Sequence, residues 1–367
     1  MPSAALINTL HTRLDQFITD SEVDGAGLVV YHKGKTIIEW YGGKAAPGLM
    51  ASPSVLWPLA SITKLYTATM IMRLIELGML TMTTTVHSVL PRFFGDGREN
   101  VTLRHLLTHT SGLIYESVEM EQRLMDQTPI VDLIAEAYSA PLLFAPGQEF
   151  SYADYNYLLA AEVAVHTTRR PFPDLVRDLV LRPMGLRHTF LPPAPADYVR
   201  IAKVRGALAA DSDGAMYNSP YALELAHPAF GVVATANDLL RFGLHFVPGG
   251  PRILSEASVR TMITDQTGGR AKGWHVAGDP GEGEKPPQAW GIGFYMNTPN
   301  SGAVFGDLAP LGCYGHGGAS GCHLLINPVD DVVTAYVSNT HVHTNPSSWL
   351  RRLHIVLNTV LAAVTSN

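Results

Sequence analysis

The first apolar positions recur at helical spacing. Leu6, Leu10, Leu14 and Ile18 fall four apart with Phe17 beside them, so Met1–Asp24 predicts an amphipathic helix. The pattern then becomes strand-like. Gly27–Tyr41 carries two β-rich runs on either side of Lys33-Gly34-Lys35, which predicts a hairpin. Pro53 and Pro58 punctuate a loop, and from Ser61 the sequence is helical again, with Leu65, Thr69, Met72, Leu74, Ile75 and Leu77 leading to Gly78. Residues 80–230 are divided by Pro and Gly into further helical stretches, at 102–109, 129–138, 156–165 and 172–182, with weak strand signals. Asn237–Phe246 predicts another helix. Strand-like runs return at Trp290–Met296, Tyr314–Ile326 and Asp331–Asn339, with Pro328–Asp331 as the turn between the last two. Ser347–Val364 closes the chain as an amphipathic helix.

Strands, then helices, then strands again predict an α/β (α+β) fold whose sheet draws on both chain ends. Residues 1–60 and 231–367 are expected to form the sheet domain and 61–230 an inserted, mainly helical domain, with a site at their interface. Short turns between the strands make the sheet mostly antiparallel, flanked by helices. Residues 266–289, rich in Gly, Pro and charge, are expected to form a long surface loop.

Composition narrows the function. Of 367 residues, 46% are hydrophobic, enough for a large core rather than disorder. The net charge of -6 and the absence of a polybasic run argue against nucleic acid or an anionic membrane as partner. The most apolar stretch, Leu65–Leu80, contains Arg73 and Glu76, which breaks any membrane span. The N-terminus lacks a basic segment followed by an apolar one, so a cytoplasmic protein is expected. Two cysteines, Cys313 and Cys322, make neither a disulfide framework nor a zinc spacing and are expected to be buried as small hydrophobes. His105 and His109 have a metal-ligand spacing, but no glutamate completes a zinc-protease motif, so both are expected to pack. The Gly-x-Ser-x-Gly elbow of α/β-hydrolases is absent. No cofactor or metal is expected.

Three segments carry candidate chemistry. Ser61-Ile62-Thr63-Lys64 sits where a loop becomes a helix, and a spacing of three puts Ser61 and Lys64 on one face. There a lysine amine can deprotonate the serine, and the first-turn N–H groups can stabilise an oxyanion. The apolar surroundings of Lys64 predict burial and a lowered pKa. Phe150–Tyr157 opens another helix and places Tyr152 as a phenol able to pass protons. Tyr314–Gly321 is glycine-rich within a strand, as expected where a substrate lies against a sheet edge.

Together these segments resemble the serine β-lactamase and penicillin-binding-protein superfamily, in the branch nearest class C β-lactamases and family VIII carboxylesterases. The resemblance extends to Val101–Leu113, Pro146-Gly147, Arg182–Leu186, Thr235–Leu239, Trp290–Gly293 and Ser338-Asn339. It implies Ser61 as acylated nucleophile, Lys64 and Tyr152 as its proton partners, and an oxyanion hole from the Ser61 and Ala319 amides. His316-Gly317-Gly318 matches the family's Lys-Thr-Gly or His-x-Gly motif.

The departures bear on substrate. Asp154 stands where the family usually has Asn, losing a donor to a substrate amide carbonyl, and is expected to pair with Lys64. Gly317 replaces a Thr whose hydroxyl binds a substrate carboxylate, and His316 carries at most a partial charge near neutrality. The expected activity is that of a carboxylesterase on small esters, or an acyltransferase, working through an acyl-enzyme. A β-lactamase, a D-amino-acid peptidase or amidase, and a sensor that acylates without turnover are the alternatives. The partner is a small-molecule ester or amide. The pocket wall is expected from 113–127 and 266–295, with Tyr115, Trp274 and Trp290 as apolar contributors.

Overall fold

The computed structural model describes residues 2–117, 119–206, 217–268, 289–299 and 304–366. The N-terminal helix α1 (Ala4–Thr19) is capped by Ser3, whose Oγ accepts from the Leu6 N–H, and it buries Leu10, Leu14 and Phe17 as the spacing requires. The predicted hairpin follows as β1 (Gly25–His32) and β2 (Lys35–Ala46). Lys33 and Gly34 both take positive φ, 45° and 91°, the left-handed pair that matches the twist of a two-residue hairpin. The short strands β3 (Leu49–Met50) and β4 (Trp57–Pro58) lead to a 3-10 turn at Ala60–Ile62 and helix α2 (Thr63–Glu76).

Helices then dominate: α3 (Val86–Val89), α4 (Leu103–Leu107), α5 (Met120–Met125), α6 (Ile130–Ser139), α7 (Asp154–Thr168) and α8 (Phe172–Val176). The 172–182 stretch does not stay α-helical, because a π-helical turn takes over at Arg177–Leu181. After β5 (Thr189–Phe190) come α9 (Pro220–Glu224), β6 (Val233–Ala234), α10 (Ala236–Leu244) and α11 (Glu256–Met262). The chain closes with β7 (Ala289–Trp290), β8 (Tyr295–Met296), β9 (Tyr314–Gly317), β10 (His323–Asn327), β11 (Val332–Ser338) and α12 (Pro346–Thr365).

Among the described residues the main sheet runs β3-β2-β1-β11-β10-β9-β8-β7, entirely antiparallel. β1 pairs with β11, so the two chain ends meet in one sheet as the sequence predicts. Helices α1 and α12 pack together on the apolar face formed by Leu28, Val30 and Tyr336. The larger core, on the other face, joins Val29, Val333 and Ala335 to α2, α7 and α10. A second sheet, β4-β6-β5, was not expected. Its two-residue strands are too short to show any alternation. No helix among the described residues is long and apolar enough to cross a membrane.

One expectation about the glycine-rich segment needs correction. β9 is not an edge strand along its whole length, because Tyr314 and Gly315 pair with Met296 and Tyr295 of β8. Tyr295 is the first residue of β8, so among the described residues no strand pairs with that side of β9 from His316 onward. The open edge is therefore confined to the residues of the third motif.

Candidate active site

The turn before α2 is built around one unusual residue. Ala60 takes φ 48°, a conformation that non-glycine residues rarely adopt. It swings the chain from β4 into the 3-10 turn and places Ser61 in the wall of a cavity. One helical turn on, Lys64 is fully buried, and its Nζ donates to Ser61 Oγ at 3.1 Å and to the Ala229 carbonyl at 3.3 Å. Two threonines of the same helix secure that carbonyl's segment. Thr63 Oγ1 accepts from the Val232 N–H at 3.0 Å, and Thr67 Oγ1 donates to the Pro228 carbonyl at 2.7 Å.

Asp154, the first residue of α7, completes the lysine's surroundings. Its Oδ1 lies 2.6 Å from Lys64 Nζ, and the pair is shut off from solvent at 0% and 3% exposure. A helix N-terminus favours a carboxylate at this position. Burial pushes the Lys64 amine below the ordinary lysine range, and Asp154 opposes that shift without cancelling it. The expected pairing is present, and the expected effect of burial outweighs it.

Tyr152 lies just before α7. Its ring centroid is 4.7 Å from Lys64 Nζ, and its hydroxyl hydrogen-bonds with the Ser61 side chain. Burial, reinforced by Asp154, holds the phenol well above its ordinary pKa, so it is protonated near neutrality. His109 keeps this segment in place. Its ring stacks on Tyr152 at 4.3 Å, and its Nδ1 accepts from the Ala153 N–H at 3.0 Å and from Asn156 Nδ2 at 3.1 Å. Ser111 Oγ in turn donates to Asn156 Oδ1 at 2.5 Å. His105 instead forms a capping box with Thr102 at the start of α4. Among the described residues, no cluster of three or more His, Cys, Asp or Glu is placed to hold a metal ion.

The third segment approaches the nucleophile through its backbone. A Cβ on Gly318 would stand 2.3 Å from the Leu59 carbonyl oxygen, so only glycine lets the end of β9 pack against the turn that carries Ser61. His316 Nδ1 lies 2.6 Å from the Gly317 carbonyl, which can only accept, so Nδ1 carries the proton. Burial and the neighbouring Lys64 push this imidazole down to about 3, leaving it neutral.

Ser61, Tyr115, Tyr152, Trp290, His316, Gly317, Gly318 and Ala319 thus line one cavity of about 410 Å³. Lys64 and Asp154 are buried beside Ser61. Trp274 and most of the expected 266–289 loop lie outside the described residues. Sequence reasoning missed the Ala229 carbonyl, whose role depends on tertiary packing alone, and Trp349 of α12, which also lines the cavity. It read His109 as packing only. The polar run Thr108–Ser111, directly after a short apolar helix and with Thr108, His109 and Ser111 buried, is the signal that pointed to more.

The chain is similar to known proteins in sequence and in fold. The chain is 29% identical to "Penicillin-binding protein 4" of Amycolatopsis lactamdurans over 91% of this chain and 85% of that one. It is 33% identical to "Esterase EstB" of Burkholderia gladioli over 51% of this chain and 52% of that protein. Its fold is similar to that of "EstCE1, a hydrolase with promiscuous acyltransferase activity", with a TM-score of 0.77 and 21% identity, covering 96% and 98% of the two chains. The family model described as Beta-lactamase matches residues 10–356, and the chain belongs to that family.

Proposed function

We propose that the protein is a serine hydrolase that cleaves small esters through an acyl-enzyme on Ser61. The observation that carries this reading is the convergence of Ser61 Oγ, Lys64 Nζ and the Tyr152 phenol at one end of an apolar cavity. While Oγ attacks the ester carbonyl, Lys64 Nζ takes the Ser61 proton and passes one of its own to the Asp154 carboxylate 2.6 Å away, which hands it back when Lys64 reprotonates the phenol. The Ser61 and Ala319 N–H groups hold the oxyanion. Tyr152, a neutral phenol, is the proton donor to the leaving alkoxide, and Lys64 restores the phenol's proton. In this reading Lys64 is the base and Tyr152 the acid. Water, or a second alcohol, then attacks the acyl-enzyme by the same proton path in reverse.

Asp154 supports esters over β-lactams and peptides. The Asp154 side chain, committed to Lys64, offers no amide donor to a substrate carbonyl, and a neutral His316 offers no fixed charge for a substrate carboxylate. A panel of p-nitrophenyl esters set beside nitrocefin tests this. Wild type is expected to cleave the esters and to leave nitrocefin essentially intact. Asp154→Asn is expected to lower the ester-to-nitrocefin ratio of kcat/KM at least tenfold. Nitrocefin turnover by wild type as fast as that of the esters would instead favour the β-lactamase reading. A single burst of product with no further turnover would favour a sensor.

A further inference from the structure

One part of the cavity wall has a chemistry of its own. The cavity extends along β9 to the start of α12, where Trp349, Leu350 and Val304 join Trp290 in its wall. Among the described residues, the lining contains no lysine or arginine. Of the two histidines in the lining, His316 has its Nδ1 proton committed to the Gly317 carbonyl, and His343 stands at the exposed rim. Among the described residues nothing fixed in this wall balances a substrate charge, and removing a charged group from water without a partner is costly.

Gly317 decides how far the cavity reaches. A Cβ there would lie 4.0 Å from Trp349 Cη2 and Cζ2 and 3.7 Å from His323 Cδ2, which is ordinary contact without a clash. The position has room for a side chain, and any side chain would stand between the open edge of β9 and the Trp349 ring. With glycine, that space belongs to the cavity and the indole face is open to a ligand. Trp349 is half-buried, so the ring is held yet reachable. An indole face beside an extended backbone suits a flat apolar group.

Resting on the hydrolase reading above, we infer that this end of the cavity selects esters bearing a bulky, flat, uncharged group, which lies over Gly317 against Trp349. Gly317 and Trp349 set the specificity, and the same wall rejects a carboxylate.

Matched alkyl esters test this without differences in leaving-group reactivity. 2-Naphthylmethyl acetate carries the flat group in the alcohol, methyl 2-naphthoate carries it in the acyl part, and ethyl acetate is the small reference. For wild type, at least one naphthyl ester is expected to exceed ethyl acetate at least tenfold in kcat/KM. Whichever it is locates the group on the alcohol or the acyl side. The ratio for that ester is expected to fall at least tenfold in Gly317→Thr and in Trp349→Ala. 4-Carboxybenzyl acetate is expected to be cleaved at least tenfold more slowly than benzyl acetate. Ester cleavage with the naphthyl-to-ethyl ratio unchanged in both variants would overturn the inference alone, as would equal rates for the two benzyl esters. Failure of wild type to cleave any of these esters would overturn the hydrolase reading and the inference with it.

Discussion

Lys64→Ala is expected to lower ester kcat/KM by about 10²–10⁴-fold, the usual contribution of a positioned proton-transfer group. The same change is expected to cost about 3–5 kcal/mol of stability, the penalty for leaving one member of a buried ion pair without its partner. The stability loss comes from Asp154. Its carboxylate is 3% exposed and would lose the ammonium 2.6 Å away. The double change Lys64→Met with Asp154→Leu fills similar volume without charge and is expected to recover most of the lost stability and none of the activity. Urea unfolding and ester kinetics on wild type and the two variants separate the two effects. A stable, active Lys64→Ala protein would show that neither the ion pair nor the amine has the role assigned here.

Acid is expected to unfold the protein steeply below about pH 6. Burial pushes His227, His316 and His323 down to about 3 and His341 down to about 4. In the unfolded chain each returns to about 6.5. Above that value both states are neutral and the histidines leave stability unaffected. As pH falls from 6.5 toward 3, the unfolded chain takes up protons that the folded protein refuses, and stability drops. Each such histidine contributes about 1.4 kcal/mol per pH unit once the unfolded form is fully protonated. Glu116 acts in the opposite sense, because burial raises its carboxyl well above the ordinary range and it favours the folded state as pH falls. These four histidines against one carboxyl leave a net loss of roughly 4 kcal/mol per unit in the mid-acid range, and His109, which burial also holds well below its ordinary pKa, adds to it. A typical stability of about 5–15 kcal/mol would be exhausted within a few units. Thermal melts between pH 7.5 and 4 test this. An unchanged Tm across that range would contradict the buried, neutral state of these histidines.

The parts of the site that depend on local periodicity were legible in the sequence. The hairpin, α2, α10 and the closing helix follow from apolar spacing and from turn residues such as Gly34 and Gly78. The facing of Ser61 and Lys64 follows from one helical turn, and the suspicion of a Lys64–Asp154 pair follows from an acidic residue where an amide was expected. What was not legible depends on tertiary contact. The strands β4, β5 and β6 are two residues long and exist only because they meet one another. The length over which β9 is an edge depends on where β8 starts, a register that local sequence does not encode. The Ala229 carbonyl carries no side-chain signal, and Trp349 is helical packing until the fold brings α12 to the cavity. His109 sits at a metal-ligand spacing yet supports Tyr152, a role visible only once its partners Ala153 and Asn156 are in place.

Ser61 as the covalent centre is tested most directly by treating wild type and Ser61→Ala with diethyl p-nitrophenyl phosphate, followed by intact mass and peptide mapping. The account predicts one diethylphosphoryl group per wild-type chain, located on the peptide containing Ser61, with loss of ester turnover in proportion, and no addition to Ser61→Ala. A phosphoryl group on another residue, or equal labelling of Ser61→Ala, would contradict it.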